Sequence, residues 1–161
     1  DFTQSLMELG ATVCTPRSPK CMLCPLLSRC QTKGDSLPRP AAKAERKKSE
    51  MTVFVFVTPF GTGLRRRETG VLKGLWEFYN TEGKQDETAA AAHLDSLGLK
   101  NFSLSSPKTH RHVFTHLEWD MTAYGVRTEE KPGFLTWFPA EEIGKNIALP
   151  SAFRWCAKMS E

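Results

Sequence analysis

The chain has 161 residues, of which 40% are hydrophobic and 25% charged, a composition ordinary for a soluble globular protein of one domain, or of one domain plus an appendage. No apolar run approaches the length needed to cross a bilayer, so a membrane-spanning helix is excluded. The net charge of +4 is unevenly placed: residues 1–50 hold nine Lys and Arg against five Asp and Glu, whereas residues 51–161 hold thirteen of each. A surplus confined to the first third points to a polyanionic partner, or to a solvated basic linker.

The chain opens DFTQSLMELG, without an initiator Met and without the basic start and apolar core of a secretion signal. It reads as a piece of a longer protein in a reducing cytosol, where clustered cysteines more often bind metal or do redox chemistry than form disulfides. Phe2, Leu6, Leu9 and Val13 recur at roughly helical spacing, and Gly10 predicts that this helix ends near there. Four cysteines follow in CTPRSPKCMLCPLLSRC, residues 14–30. Residues 32–50, rich in Pro, Ala, Lys and Arg, read as a basic linker with a boundary near residue 50.

From Met51 the texture changes. The β-branched and aromatic run MTVFVFVT predicts a buried strand, and VLKGLWEFY is a second strand candidate. DETAAAAHLDSLG, residues 86–98, predicts a helix capped by Asp86, favoured by its alanines and stopped by Gly98. HVFTHLEWDMTAYGV alternates: Val113, Leu117, Trp119 and Met121 fall on one face, and His112, Phe114, His116, Glu118 and Asp120 on the other. GFLTWF predicts a short strand and LPSAFRWCAKM a C-terminal helix. Cys156 in that helix reads as a packed core thiol, and Trp76, Trp119, Trp137 and Trp155 also read as core. Strands interleaved with two helices make residues 51–161 an α+β domain of about 110 residues, large enough for its own core.

The cysteine spacing is C-x(6)-C-x(2)-C-x(5)-C. Thiolates are soft ligands that favour zinc, copper(I) or iron–sulfur clusters. Structural zinc sites usually pair two close C-x(2–4)-C knuckles, and only one close pair is present; the spacing also differs from the ferredoxin run. On spacing alone iron–sulfur and zinc stand level.

The segment LMELGATVCTPRSPKCMLCPLLSRC resembles the end of the catalytic domain of MutY-type adenine DNA glycosylases, which are helix–hairpin–helix enzymes. The spacing is shared with endonuclease III relatives, and the flanking residues make the match specific. The resemblance implies a [4Fe-4S] cluster held by Cys14, Cys21, Cys24 and Cys30. It also implies that the loop carrying Arg17 and Lys20 faces the DNA backbone. A cluster-pinned loop fixes cations in place, and such contacts supply sequence-independent, salt-sensitive affinity.

The resemblance continues past the linker. RRRETGVLKGLWEFY looks like the start of the MutT-like domain of MutY proteins, which implies a Nudix fold: an α/β/α sandwich with a mixed sheet, preceded here by a helix and cysteine loop left from the glycosylase domain. Residues 1–31, 32–50 and 51–161 are then the end of that domain, the linker and a domain recognising 8-oxoguanine. Nudix hydrolases need a glutamate-rich helix to hold magnesium, whereas TAAAAHLDSLG offers only Asp95, too few oxygens for a hard cation. The domain is therefore expected to bind rather than hydrolyse. Tyr79 stands where the family usually has Pro, a difference expected to alter local turn geometry and little else.

HVFTH matches the family's lesion-reading loop, usually Phe-Ser-His, as Phe114, Thr115 and His116. Guanine presents two acceptors on its major-groove edge. Oxidation at carbon eight turns the adjacent ring nitrogen into a donor. A hydroxyl that accepts there, supplied by Thr115, meets a donor on the lesion and a repelling lone pair on guanine. In this assignment Phe114 stacks or wedges and His116 contacts the backbone or orients the loop. On strict alternation, however, Thr115 would point inward with Val113 and Leu117, and only a turn at this point would free it. His110, His112 and His116 suggest a zinc site as a lesser alternative.

The family flips adenine out of the helix and cuts its glycosidic bond with a glutamate and an aspartate, and both positions fall upstream of Asp1. The expected function is thus the C-terminal part of an A/G-specific adenine DNA glycosylase in base excision repair, with no catalytic residue of its own. The expected partner is duplex DNA carrying an 8-oxoguanine:adenine mispair, with the chain monomeric and in a bacterial cytoplasm. The rival classes are a Nudix-type nucleotide pyrophosphatase and a zinc-stapled interaction module.

Overall fold

The structure is a computed structural model that describes residues 1–31 and 45–159. The chain divides into two compact units, Asp1–Ala44 and Glu45–Glu161. Residues 32–44, most of the expected linker, lie outside the described residues.

In the first unit α1 spans Phe2–Thr12 and runs through Gly10, two residues beyond the expected end. Gly10 has no need to leave the helix. The stop comes instead where the amides of Val13 and Cys14 both close on the Leu9 carbonyl, at 3.0 and 2.8 Å. Two 3-10 turns, Cys21–Leu23 and Leu27–Arg29, complete the described part of this unit.

The second unit is built on a mixed sheet of eight strands: β1 (Lys47–Thr58), β2 (Gly61–Arg66), β3 (Trp76–Glu77), β4 (Tyr79–Glu82), β5 (Phe102–Leu104), β6 (Lys108–Val113), β7 (Leu117–Thr128) and β8 (Thr136–Phe138). β1 and β7 lie side by side in parallel, in register from Lys47↔Leu117 to Val57↔Arg127. The remaining pairings are antiparallel. A strand at the middle of such a sheet is covered on both faces, which is why Met51 to Phe56 form an unbroken buried run. Met51, Val53 and Val55 pack with Met121, Phe153 and Cys156 on one face. Phe54 and Phe56 pack on the other with Tyr124 and with Ala90 and Leu94 of α2 (Glu87–Ser96). The Asp86 carboxylate accepts from the Ala89 amide at 2.8 Å to start α2, and Gly98, at φ +90°, follows its end, as expected. This is the expected α+β sandwich.

Several elements differ from the sequence reading, among them the unexpected strand β5. VLKGLWEFY is a turn with Leu72 and Gly74 at positive φ, and only Trp76–Glu77 and Tyr79–Glu82 are strand. β2 is an additional strand, returned from β1 by a tight turn at Pro59 and Phe60. The C-terminal helix is short: a 3-10 turn at Ser151–Phe153, then α3 over Arg154–Ala157, anchored by buried Ala152, Phe153 and Cys156.

Candidate nucleic-acid interface

β6 and β7 form a hairpin, paired from Lys108↔Ala123 to Val113↔Glu118. The chain reverses through Phe114, Thr115 and His116, closed by the Phe114 amide donating to the Leu117 carbonyl at 2.7 Å. A reversal inverts the face assignment on one arm. His112 therefore lies opposite Trp119 rather than behind it, and Val113 is 45% exposed instead of core. Phe114 is not outward: it is partly buried, edge-on to His112 at 4.7 Å and to Trp119 at 4.9 Å. Thr115 and His116 are exposed. Among the described residues the Thr115 hydroxyl has no hydrogen-bond partner.

The turn is held by the chain that leads into β1. The Arg46 Nε donates to the Phe114 carbonyl and the Lys47 amide to the His116 carbonyl, both at 3.1 Å. Arg46, Lys47 and Lys48, expected in a linker, are exposed cations beside the turn. Beneath it Trp119 is buried, with the Arg67 guanidinium 5.1 Å from its ring centre and Phe153 6.0 Å away. Burial, and then the neighbouring His110, lower the pKa of His112 from its ordinary value, which favours the neutral ring beside Phe114. His110 stacks on Trp155 instead of meeting His112 and His116 at a metal site.

A second feature is a cavity of about 650 Å³ bordered by Arg65, Arg66, Arg67, Trp76, Glu77 and Tyr79, among others. Glu77 is 2% exposed and bridges two arginines: Arg65 Nε to Oε1 at 3.0 Å and Arg67 Nη1 to Oε2 at 2.6 Å. Arg65 and Arg66 lie over the rings of Tyr79 and Trp76, at 4.7 and 4.6 Å. Tyr79 does more than adjust a turn. Its hydroxyl bonds His93 Nε2 of α2 at 3.0 Å, tying sheet to helix. Glu50, Glu68 and Glu82 also line the cavity, so its arginines do not make it a net anion sink. α2 begins one residue before TAAAAHLDSLG and so carries Glu87 as well as Asp95, both exposed and two turns apart. Among the described residues no three carboxylates, histidines or cysteines are grouped to hold a metal ion.

In the first unit the cysteine loop is tied by successive turns: Cys24 N to Cys21 O at 3.0 Å, Leu27 N to Cys24 O at 3.1 Å and Cys30 N to Leu27 O at 3.4 Å. The cysteines are thiols, with Cys14 exposed and Cys21, Cys24 and Cys30 half-buried. Four soft donors in one short loop fit an iron–sulfur cubane, in which each thiolate would take a different iron. Arg17 and Lys20 are exposed on the arm between the first two cysteines, which is closed by Lys20 N to Val13 O at 2.9 Å.

Residues 14–30 match the iron–sulfur binding domain of endonuclease III, and residues 63–159 match the NUDIX domain. The chain belongs to the NUDIX domain family. The fold of this NUDIX domain is similar to a MutT protein from Methanosarcina mazei Go1, at a TM-score of 0.55 and 15% identity over 71% of this chain and 94% of that one. Over 96% of its length the chain is similar to proteins named adenine DNA glycosylase, 26% identical in Rattus norvegicus and 25% in Homo sapiens. It spans 42% and 40% of those relatives. An endonuclease III-type iron–sulfur segment followed by a NUDIX domain is the order that the MutY resemblance implies, and the resemblance holds for both units. No helix among the described residues is long and apolar enough to cross a membrane.

Sequence reasoning missed Arg46 and Lys47 at the turn of the NUDIX domain because a Lys-rich run reads as linker. Lys47, Lys48, Ser49 and Glu50 are all polar, so no apolar periodicity marked them as strand. It also missed the clamp on Glu77, whose signal was a lone carboxylate in an apolar stretch ten residues after a run of three arginines.

Proposed function

We propose that the chain is the C-terminal part of an A/G-specific adenine DNA glycosylase, in which the NUDIX domain recognises 8-oxoguanine opposite adenine and the parent enzyme excises that adenine. Residues 1–31 end the glycosylase domain, and Cys14, Cys21, Cys24 and Cys30 would hold a [4Fe-4S] cluster that pins Arg17 and Lys20 for phosphate contact. The observation that carries this reading is the exposed turn at Phe114–His116, with the Thr115 hydroxyl unpartnered among the described residues. Thr115 accepts from the ring N–H present on the lesion and absent from guanine. Phe114 fixes the turn against Trp119, and His116 faces the DNA backbone. One contact of this kind, made or left unmade, is worth about 1–3 kcal/mol, or roughly ten- to hundredfold in affinity.

The test is binding of the 161-residue chain to duplexes containing 8-oxoguanine:adenine or guanine:adenine. Wild type is expected to prefer the lesion, Thr115→Ser to keep the preference and Thr115→Ala to lose it; equal binding of both duplexes by wild type would overturn the reading. Without the upstream carboxylates the chain alone releases no adenine, and release by it would overturn that part. Pyrophosphatase activity is not proposed, since Glu87 and Asp95 supply too little oxygen ligation for magnesium.

A further inference from the structure

We propose that Arg46 couples the lesion-reading turn to the DNA backbone, with Nε holding the Phe114 carbonyl while the two Nη groups bind a phosphate; this rests on the nucleic-acid reading above. Arg46 is exposed, and its one hydrogen bond among the described residues is Nε to Phe114 O at 3.1 Å. The outer edge of the guanidinium is therefore available. A guanidinium is a rigid planar fork, so fixing Nε also fixes the direction of Nη1 and Nη2. Two outward N–H groups in that plane match the oxygens of a phosphate.

The surroundings suit this partner. Lys47 and Lys48 follow on β1, and the Lys47 amide holds the other carbonyl of the turn, that of His116, at 3.1 Å. On the facing arm Arg111 is engaged with Glu118 at 3.7 Å, which neutralises the nearest carboxylate of β7. Glu45 directly precedes three successive cations, Arg46, Lys47 and Lys48, which outweigh it. A phosphate drawn to Arg46 would tighten the same guanidinium that sets the Phe114 backbone. Backbone binding and the position of Thr115 are thereby linked. Arg46 is a positioning residue and touches no base.

The experiment measures binding of the full 161-residue chain to undamaged and 8-oxoguanine:adenine duplexes across salt concentrations, with Arg46→Ala and Arg46→Lys. For Arg46→Ala the slope of log affinity against log salt falls by about 0.9 on both duplexes, the loss of one phosphate contact. Its preference for the lesion falls several-fold. Arg46→Lys keeps a charge but not the fork: its salt slope stays near wild type while its lesion preference falls as in Arg46→Ala. An unchanged slope in Arg46→Ala, or a wild-type preference in Arg46→Lys, would overturn the coupling. If wild type itself shows no preference, lesion reading fails. The coupling is then judged by the slope on undamaged DNA together with hydrogen exchange at the Thr115 and His116 amides. DNA is expected to slow that exchange in wild type and not in Arg46→Ala, and equal slowing in both would overturn it. Arg46 is exposed, so both variants are expected to fold, which a thermal melt checks.

Discussion

The ring of Phe114 meets that of Trp119 edge-on, with centroids 4.9 Å apart and planes at 72°. One residue lies in the exposed turn and the other in the core between β1 and β6, so the turn is seated on the sheet rather than hung from it. Phe114→Ala removes this seat and the contact with His112. It is expected to cost about 1–3 kcal/mol of folding stability, less than a fully buried Phe because the ring is half-exposed. It should also reduce lesion preference with little change in the salt slope of binding. Urea unfolding and the two-duplex assay measure these, and a variant unchanged in both would remove Phe114 from the account.

Glu77 is enclosed, and both of its oxygens are taken by arginines. Removing one member of such a cluster strands the others. Glu77→Ala leaves Arg65 and Arg67 facing each other without a counter-charge and is expected to cost about 3–5 kcal/mol. Glu77→Gln should cost less, since it retains one acceptor. Chemical denaturation tests this, and a loss below 1 kcal/mol in the alanine variant would mean that water replaces the carboxylate.

Burial pushes the Cys156 thiol well above its ordinary range. The folded chain therefore holds this proton more tightly than the unfolded chain. The resulting stability is fully present below the unfolded thiol value of about 8.5 and is lost as pH rises above it. Burial also raises the hydroxyls of Tyr79 and Tyr124, which adds loss of the same sign at higher pH. Thermal melts from pH 7 to 11 should fall through this range, and Cys156→Ala should flatten its lower part. In native protein at neutral pH, Cys156 should escape iodoacetamide while Cys14 reacts.

Loading the reduced chain with iron and sulfide should give visible absorbance and about four irons per chain, and should protect the thiols of residues 14–30 from alkylation. Cys21→Ser should lower the yield of cluster while leaving the melt of the NUDIX domain unchanged, because Cys21 belongs to the other compact unit. Stoichiometric zinc with no iron uptake would return the loop to the zinc reading.

Hydrophobic texture and local chemistry were enough for the central strand, for α2 with its Asp86 cap and Gly98 stop, and for the cysteine loop. In each, the signal lies within a few consecutive residues: a buried run, a cap three residues from its partner amide, or four cysteines in one short loop. What depended on partners distant in the chain was not legible. Alternation alone put Val113 in the core and Phe114 outside; the reversal at Phe114–His116 inverted both, because pairing with β7 decides which face is covered. Glu77 gained its arginines only when β2 was laid beside β3, Tyr79 its histidine only when α2 was packed on the sheet, and Arg46 its place at the turn only through the parallel pairing of β1 with β7. Sequence by itself thus determined the two kinds of unit, the cysteine segment and the NUDIX domain. The tertiary structure decided which side chains meet around the turn, because strand pairing brings together residues far apart in the chain, such as Arg46 and Phe114, 68 positions apart.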